Sequence, residues 1–255
     1  DRYMNQSELF FRHLAQTSAS PLALEIVRAD GMYLYDAVGK AYLDLIGGIS
    51  VCNTGHRHPE VVEAIRQQAD AYLHILVYGE LVQSPQVRYA SQLADLLPGN
   101  LQSVYFTNSG AEAVEGAMKL SKRATGRSQF VAFNRSYHGS TQGALSVLGD
   151  EYWRNAFRPL LPGIIHLDYN DFDQLDEISE QTAAVLIETV QAENGVVKPA
   201  FAEAKAGEAR SGPGLNFLRA VREKCDKTGT LLILDEIQVG FGRTGTLWGF
   251  EQYGV

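Results

Sequence analysis

The chain has 255 residues, 45% hydrophobic and 20% charged, enough to bury a sizeable core in one large domain or in one domain plus part of another. Its formal charge of −8 argues against nonspecific nucleic-acid binding. The two distant cysteines, Cys52 and Cys225, make no disulfide framework and point to a reducing cytoplasm. "DRYMNQSELFF" lacks the apolar run of a signal peptide, and no segment reaches the roughly 18 apolar residues of a membrane span.

In chain order, a small N-terminal segment comes first, residues 1–46, with a helix and then "ADGMYLYDAVGKAYLDLIGG". The latter alternates apolar and polar residues around Gly39, as an antiparallel hairpin does. "HPEVVEAIRQQADAYL" predicts a helix with proline near its start. From Ser103 onward, short apolar strands alternate with helical patterns. "VYFTN" is a strand candidate and "EAVEGAMKLSKRAT" the helix after it. "QFVAF" precedes a small-residue helix through "STQGALSVL", and "GIIHLD" leads to a polar helix, "DFDQLDEISE". "AAVLIE" is a continuous apolar run of strand length. "LNFLRAVREKCDKTG" places Leu215, Leu218, Val221 and Cys225 at helical spacing and closes on glycine, and "TLLILDE" is the last strand. Between "AAVLIE" and this last helix, "AFAEAKAGEARSGPG" has no apolar stripe and reads as a surface loop. The alternation predicts an α/β fold, a mostly parallel sheet with helices on both faces.

Polar residues cluster just past the strand ends: Asn108 and Ser109, Asp168, Glu188, then Asp235 and Glu236. In open parallel sheets that edge binds ligands. Three phosphate readings compete. "GFGRTG" (240–245) fits the dinucleotide spacing, but "DEIQV" separates it from the strand and "TLWGFEQYGV" after it is poor helix. A hydrolase phosphate loop needs Lys then Ser or Thr after the last glycine, where Thr246 and Leu247 stand. "TNSGAEAVEGAMKL" is the better site: Asn108 or Ser109 can cap, Gly110 admits close backbone approach, and the free N–H groups and dipole of a helix start face one point. Glu112 and Glu115 suit its first turn. Tyr137 in "YHG" can stack on a flat ring. His56 and His58 have no third ligand nearby, and no metal is expected.

These pieces in this order resemble the class III, pyridoxal-phosphate-dependent aminotransferases. The resemblance is carried by "YLDLIGGISVCNTGHRHPEVVEAIRQQ", "TNSGAEAVEGAMKLSKRATGR", "YHGSTQGALS", "IETVQAENGVV" and "LLILDEIQVGFGRTG". It implies a fold-type I large domain over residues 47–255, incomplete, in a protein that is usually a homodimer. Its cofactor is pyridoxal 5'-phosphate and its substrates are an amino donor and a 2-oxo acid. By the same resemblance, Asp235 holds the protonated pyridine nitrogen and Gln238 lies near the ring's phenolic oxygen. Tyr137 stacks on the ring beside His138. Ser109, Gly110 and Ala111 cradle the phosphate, and Glu188 supports the cluster. Ile49 to Val51, Tyr78 and Glu193 match segments on the substrate side, Glu193 a glutamate that pairs with a C-terminal arginine. Ser140 stands where relatives that grip a distal carboxylate have arginine, which weakens a reading as an ornithine, acetylornithine or gamma-aminobutyrate enzyme. The family's Schiff-base lysine lies roughly thirty residues beyond the Asp-Glu pair, and Val255 is 20 residues beyond Asp235. The expectation is that this lysine lies past Val255. The chain by itself is then inactive, a non-catalytic or assembly module being the alternative.

Overall fold

The computed structural model describes residues 5–76, 79–202 and 215–255. The chain divides into two compact units, Asp1–Val82 and Gln83–Val255.

The first unit begins with α1 (Gln6–His13), opened by a capping box in which Asn5 Oδ1 accepts from Glu8 N–H at 2.8 Å. Three short strands follow, β1 (Ile26–Asp30), β2 (Tyr33–Asp36) and β3 (Ala41–Leu43), in one antiparallel sheet. The expected hairpin is β2–β3, turning through Gly39 with φ of 84°. A single helical turn, α2 (Gly47–Ser50), carries positive φ at Gly48, Ile49 and Ser50. Asp44 organises the chain around it. Its Oδ1 accepts from Ile46 and Gly47 N–H, and its Oδ2 meets His56 Nε2 at 2.7 Å. The Gly47 amide first, then His56, hold this carboxyl below the ordinary range. Helix α3 (Pro59–Ala71) starts on its proline as expected.

The second unit opens with α4 (Ser84–Leu96) and α5 (Gly110–Thr125). Its sheet has four parallel strands, β4 (Gln129–Phe133), β5 (Ile164–Leu167), β6 (Thr182–Glu188) and β7 (Leu231–Asp235), in the order β5-β4-β6-β7. Helices α6 (Gln142–Val147), α7 (Glu151–Arg154) and α8 (Phe217–Thr228) fill the connections. The period of two along each strand sends side chains to two cores. Val131, Phe133, Val185 and Ile187 pack with Phe217, Leu218, Val221 and Cys225 of α8. Phe130, Ala132, Ala184 and Leu186 pack with Val114 and Met118 of α5 and Ala144 and Val147 of α6. All seven residues of β6 are buried, which is why its sequence is a continuous apolar run.

Three expectations are corrected. Residues 104–108, "VYFTN", lie outside any strand, and Tyr105 is 82% exposed. A strand exists through its ladder, and this segment pairs with no strand among the described residues. "DFDQLDEISE" forms one 3-10 turn, Asp173–Glu177, instead of an α-helix. Only Leu175 and Ile178 of it are buried, the i, i+3 spacing that such a turn brings to one face. Leu215 lies ahead of α8 and is 39% exposed, whereas Leu218, Val221 and Cys225 are buried as expected. Most of the Ala- and Gly-rich loop, 203–214, lies outside the described residues.

Candidate active site

The carboxyl edge of the parallel sheet is where four of the anticipated segments meet. Glu188 ends β6 and Asp235 ends β7, and the two are register partners on neighbouring strands. Both are screened from water: Glu188 is 6% exposed, and the Asp235 side chain likewise. Two carboxyls side by side in a dry site cannot both ionise at low cost. Burial, then the charge of Asp235, pushes the Glu188 carboxyl up to about 8, against the opposing pull of the Tyr137 N–H. Glu188 is therefore a carboxyl that keeps its proton at neutral pH.

Asp235 is gripped from two sides. His138 Nδ1 lies 2.8 Å from its Oδ2, and Ile237 N–H donates to its Oδ1 at 3.1 Å. A carboxylate only accepts, so Nδ1 carries the imidazole hydrogen. His138 Nε2 is buried and has no hydrogen-bond partner among the described residues. An orphaned buried polar atom of this kind calls for a partner from outside the chain.

The segment "YHG" follows β4 and delivers His138 to this point. Tyr137 N–H donates to Glu188 Oε2 at 3.3 Å, while the residue as a whole is 47% exposed. Gly139 follows with φ of 122°, and a Cβ there would stand 2.7 Å from Ala111 Cβ. Only glycine lets the loop lie this close to the first turn of α5. Gly110, one residue earlier on α5, packs against the turn after Asp235: its Cβ would stand 3.0 Å from Ile237 Cδ1, a side-chain atom. Thus the start of α5, the "YHG" loop and the turn after Asp235 touch one another.

The start of α5 is capped as expected. Ser109 is the N-cap, its Oγ accepting from Glu112 N–H at 3.2 Å, and Glu112 Oε2 reaches back to Asn108 N–H at 2.6 Å. The N–H groups of Gly110 and Ala111 precede the intrahelical ladder and carry the positive end of the helix dipole. The group thus combines a helix start, the buried Asp235 side chain and the exposed Tyr137.

The remaining anticipated residues divide. Gln238 is half-buried in the turn after Ile237. Glu193 is exposed, in the turn between Gln191 and Val197, and its charge adds to the upward push on Glu188. Val51 belongs to the first unit and is 76% exposed, and Tyr78 lies outside the described residues. Asp168 stays apart from the Asp235 group. Asn134 Nδ2 donates to it at 2.7 Å and Gln174 also bonds it, and these bonds hold its carboxyl below the usual range. Glu236 takes Thr189 Oγ1 and the N–H groups of Gly249 and Phe250, which makes it a brace for the returning chain.

One expectation is corrected and one contributor is new. Glu115 does not sit in the first turn of α5 as an acid for the dipole; its Oε1 accepts from Thr141 Oγ1 and Gly143 N–H on the next helix, both at 2.7 Å. Tyr169 donates its hydroxyl to the Glu188 and Thr189 carbonyls, and burial raises its pKa. The spacing Glu115-to-Gly143 spans a loop and a strand, so no local pattern marks it.

The carboxyl edge of the parallel sheet thus brings a capped helix start together with a histidine-bonded carboxyl group. The chain belongs to the class-III aminotransferases, whose family model matches residues 14–255. That family uses pyridoxal phosphate as its cofactor. A curated relative, the acetylornithine aminotransferase of Methanosarcina mazei, is 44% identical over 249 residues, 96% of this chain and 58% of its own length. The (S)-enantioselective omega-transaminase of Thermomicrobium roseum is 31% identical with a TM-score of 0.84, over 98% of this chain and 60% of that one. The ornithine aminotransferase of Toxoplasma gondii, whose active site holds pyridoxal phosphate at partial occupancy, is 28% identical with a TM-score of 0.79, over 96% of this chain and 56% of that one. This chain thus spans about 58% of the length of the first of these relatives. The fold is that of the fold-type I transaminases, in part.

Proposed function

We propose that the intact protein is a pyridoxal-phosphate-dependent aminotransferase that moves an amino group from an amino donor to a 2-oxo acid, and that this chain supplies the main grip on the cofactor. One observation carries the reading: Gly110 against Ile237 and Gly139 against Ala111 join the α5 anion cradle directly to the His138–Asp235 pair. When bound, the cofactor supplies an electron sink that accepts the negative charge developing on the substrate's α-carbon.

In this reading the residues of the chain divide the work. Ser109, Gly110 and Ala111 bind the phosphate through the helix start, which fixes one end of the ring. The Asp235 carboxylate keeps a proton on the ring nitrogen, since a buried anion favours the cationic form of its partner. His138, packed against Asp235 at 2.8 Å, holds that carboxylate in one orientation. Glu188, kept neutral by burial, adds no second anion beside it. The exposed Tyr137 ring covers the cofactor face and keeps water from it, and Gln238 is placed to bond the phenolic oxygen. Val51, Tyr78 and Glu193 belong to the substrate side, and a homodimer in the cytoplasm is part of the same proposal. Ser140, exposed after Gly139, has no guanidinium to offer, so the grip on a donor's distal carboxylate is not assigned to it.

The test is equilibrium dialysis with pyridoxamine 5'-phosphate, which lacks the aldehyde and so cannot label lysines. Saturable 1:1 binding is expected, weakened about tenfold or more by Asp235→Asn, the worth of one hydrogen bond to a charged group. Binding that is non-saturable, or indifferent to Asp235→Asn, would sink the reading.

A further inference from the structure

Glu115 belongs to none of the roles above, yet it ties together the two halves of the site. It is half-buried on α5, about a turn past the anion cradle, and its carboxylate points at the start of α6. Oε1 accepts from Thr141 Oγ1 at 2.7 Å, Gly143 N–H at 2.7 Å and Ala144 N–H at 3.2 Å. Helix α6 has no side-chain cap of its own: Thr141, its N-cap residue, gives its hydroxyl to Glu115 instead. The cap is thus supplied by another helix. The fit is close, since a Cβ on Gly143 would stand 2.2 Å from Glu115 Oε2.

The consequence follows from connectivity. The loop from Tyr137 to Thr141 is pinned to α5 at two levels, by Gly139 on Ala111 and by Thr141 and Gly143 on Glu115. At its other end the loop is pinned to the strand ends, by His138 on Asp235 and Tyr137 N–H on Glu188. Glu115 also fills the positive end of α6, which leaves the start of α5 as the open one of these two neighbouring helix starts.

We infer that Glu115 is a positioning residue: its carboxylate sets the distance between the phosphate cradle on α5 and the ring-binding pair His138–Asp235. The inference rests on the proposed cofactor site, and it adds a residue that touches neither phosphate nor ring.

The experiment compares wild type, Glu115→Ala, Glu115→Gln and Thr141→Ala by equilibrium dialysis with two probes, pyridoxamine 5'-phosphate and inorganic phosphate. Glu115→Ala should weaken the pyridoxamine phosphate complex at least tenfold while leaving the weak inorganic phosphate affinity within twofold, because the cradle itself is intact. A glutamine keeps the accepting oxygen, so Glu115→Gln should restore pyridoxamine phosphate binding to within threefold of wild type. Thr141 is exposed, so Thr141→Ala retains the fold, and it removes one of three donors for a weakening of about threefold. In the ligand-free protein, amide exchange in residues 136–141 should quicken in Glu115→Ala and stay slow in Glu115→Gln. If wild type and Glu115→Ala bind pyridoxamine phosphate equally, the inference fails and the cofactor site stands. If both probes weaken together, Glu115 serves general folding and the inference fails. If wild type binds no pyridoxamine phosphate, the cofactor site fails and the inference with it.

Discussion

The two units of this chain are both rich in apolar residues and use them in opposite ways. In the second, Phe130, Val131, Phe133, Val185, Ile187, Phe217 and Leu218 are fully buried. In the first, no described residue is buried at all: Val61 and Ile65 on α3 are 48% and 63% exposed, and Leu73 after it 86%. The period along α3 is that of an amphipathic helix, but its apolar stripe faces solvent in this chain. Periodicity reports which face is apolar; it does not report what covers that face. The residues of the proposed cofactor site, 109–111, 137–139, 188 and 235, all stand on the unit with the packed core.

Paired substitutions can break this contrast. The largest effect is expected for Phe217→Ala, which empties a fully buried position between Phe133, Tyr169 and Phe172. It should cost about 3–5 kcal/mol in a urea melt. Ile65→Ala, with most of its side chain already in water, should stay within about 0.5 kcal/mol. Equal losses from the two would show that α3 is packed in solution and erase the distinction.

Helix caps give a finer comparison. Asn216 caps α8 by accepting from Arg219 N–H at 3.0 Å, and it also donates to the Tyr253 carbonyl at 2.9 Å while 4% exposed. Asn216→Ala should cost about 1–2 kcal/mol of global stability. Asn5 makes the same kind of cap on α1, at 2.8 Å, in full contact with water. Asn5→Ala should fray α1 locally, with the global midpoint unchanged, because that helix buries no side chain. A midpoint shift as large as that of Asn216→Ala would contradict this.

The last comparison is in pH. The Glu188 carboxyl is raised from 4.5 to about 8 in the folded protein. The folded state therefore holds this proton more tightly than the unfolded one, and the stability it contributes is lost as pH rises through 8. The buried His166 acts oppositely: burial, then Arg154, lowers it from 6.5 to about 4, so its contribution is lost as pH falls through that window. Between pH 6.5 and 8 the Glu188 effect runs alone. Stability should fall with pH there, and Glu188→Gln should flatten the slope; an unchanged slope would show that Glu188 is ionised in the fold.

The sheet was legible in the sequence because its strands are short apolar runs between strong helix signals, and β6 and β7 fall where the runs predict. The capped start of α5 was legible because capping is local: Ser109, Gly110 and Glu112 carry the whole signal within four positions. The His138–Asp235 clamp joins residues 97 positions apart, and residue types alone do not announce it; the family resemblance placed both, and the distance comes from the fold. Glu115 and Glu236 were opaque for a related reason. A glutamate in a helix, or after a strand, looks the same whether it faces water, a ligand or the start of the next helix. "VYFTN" misled because β-propensity in Val, Tyr and Phe reflects suitability for a sheet, whose existence depends on a partner elsewhere in the chain.

The central claim is that the cofactor's phosphate lies on the start of α5 and its ring against Asp235, with "GFGRTG" uninvolved. Amide hydrogen exchange read by mass spectrometry, with and without saturating pyridoxamine 5'-phosphate, tests it most directly. Protection is expected in peptides covering residues 109–113, 136–140 and 235–238, with residues 240–245 unchanged. Protection confined to 240–245, or spread evenly over the chain, would contradict the account.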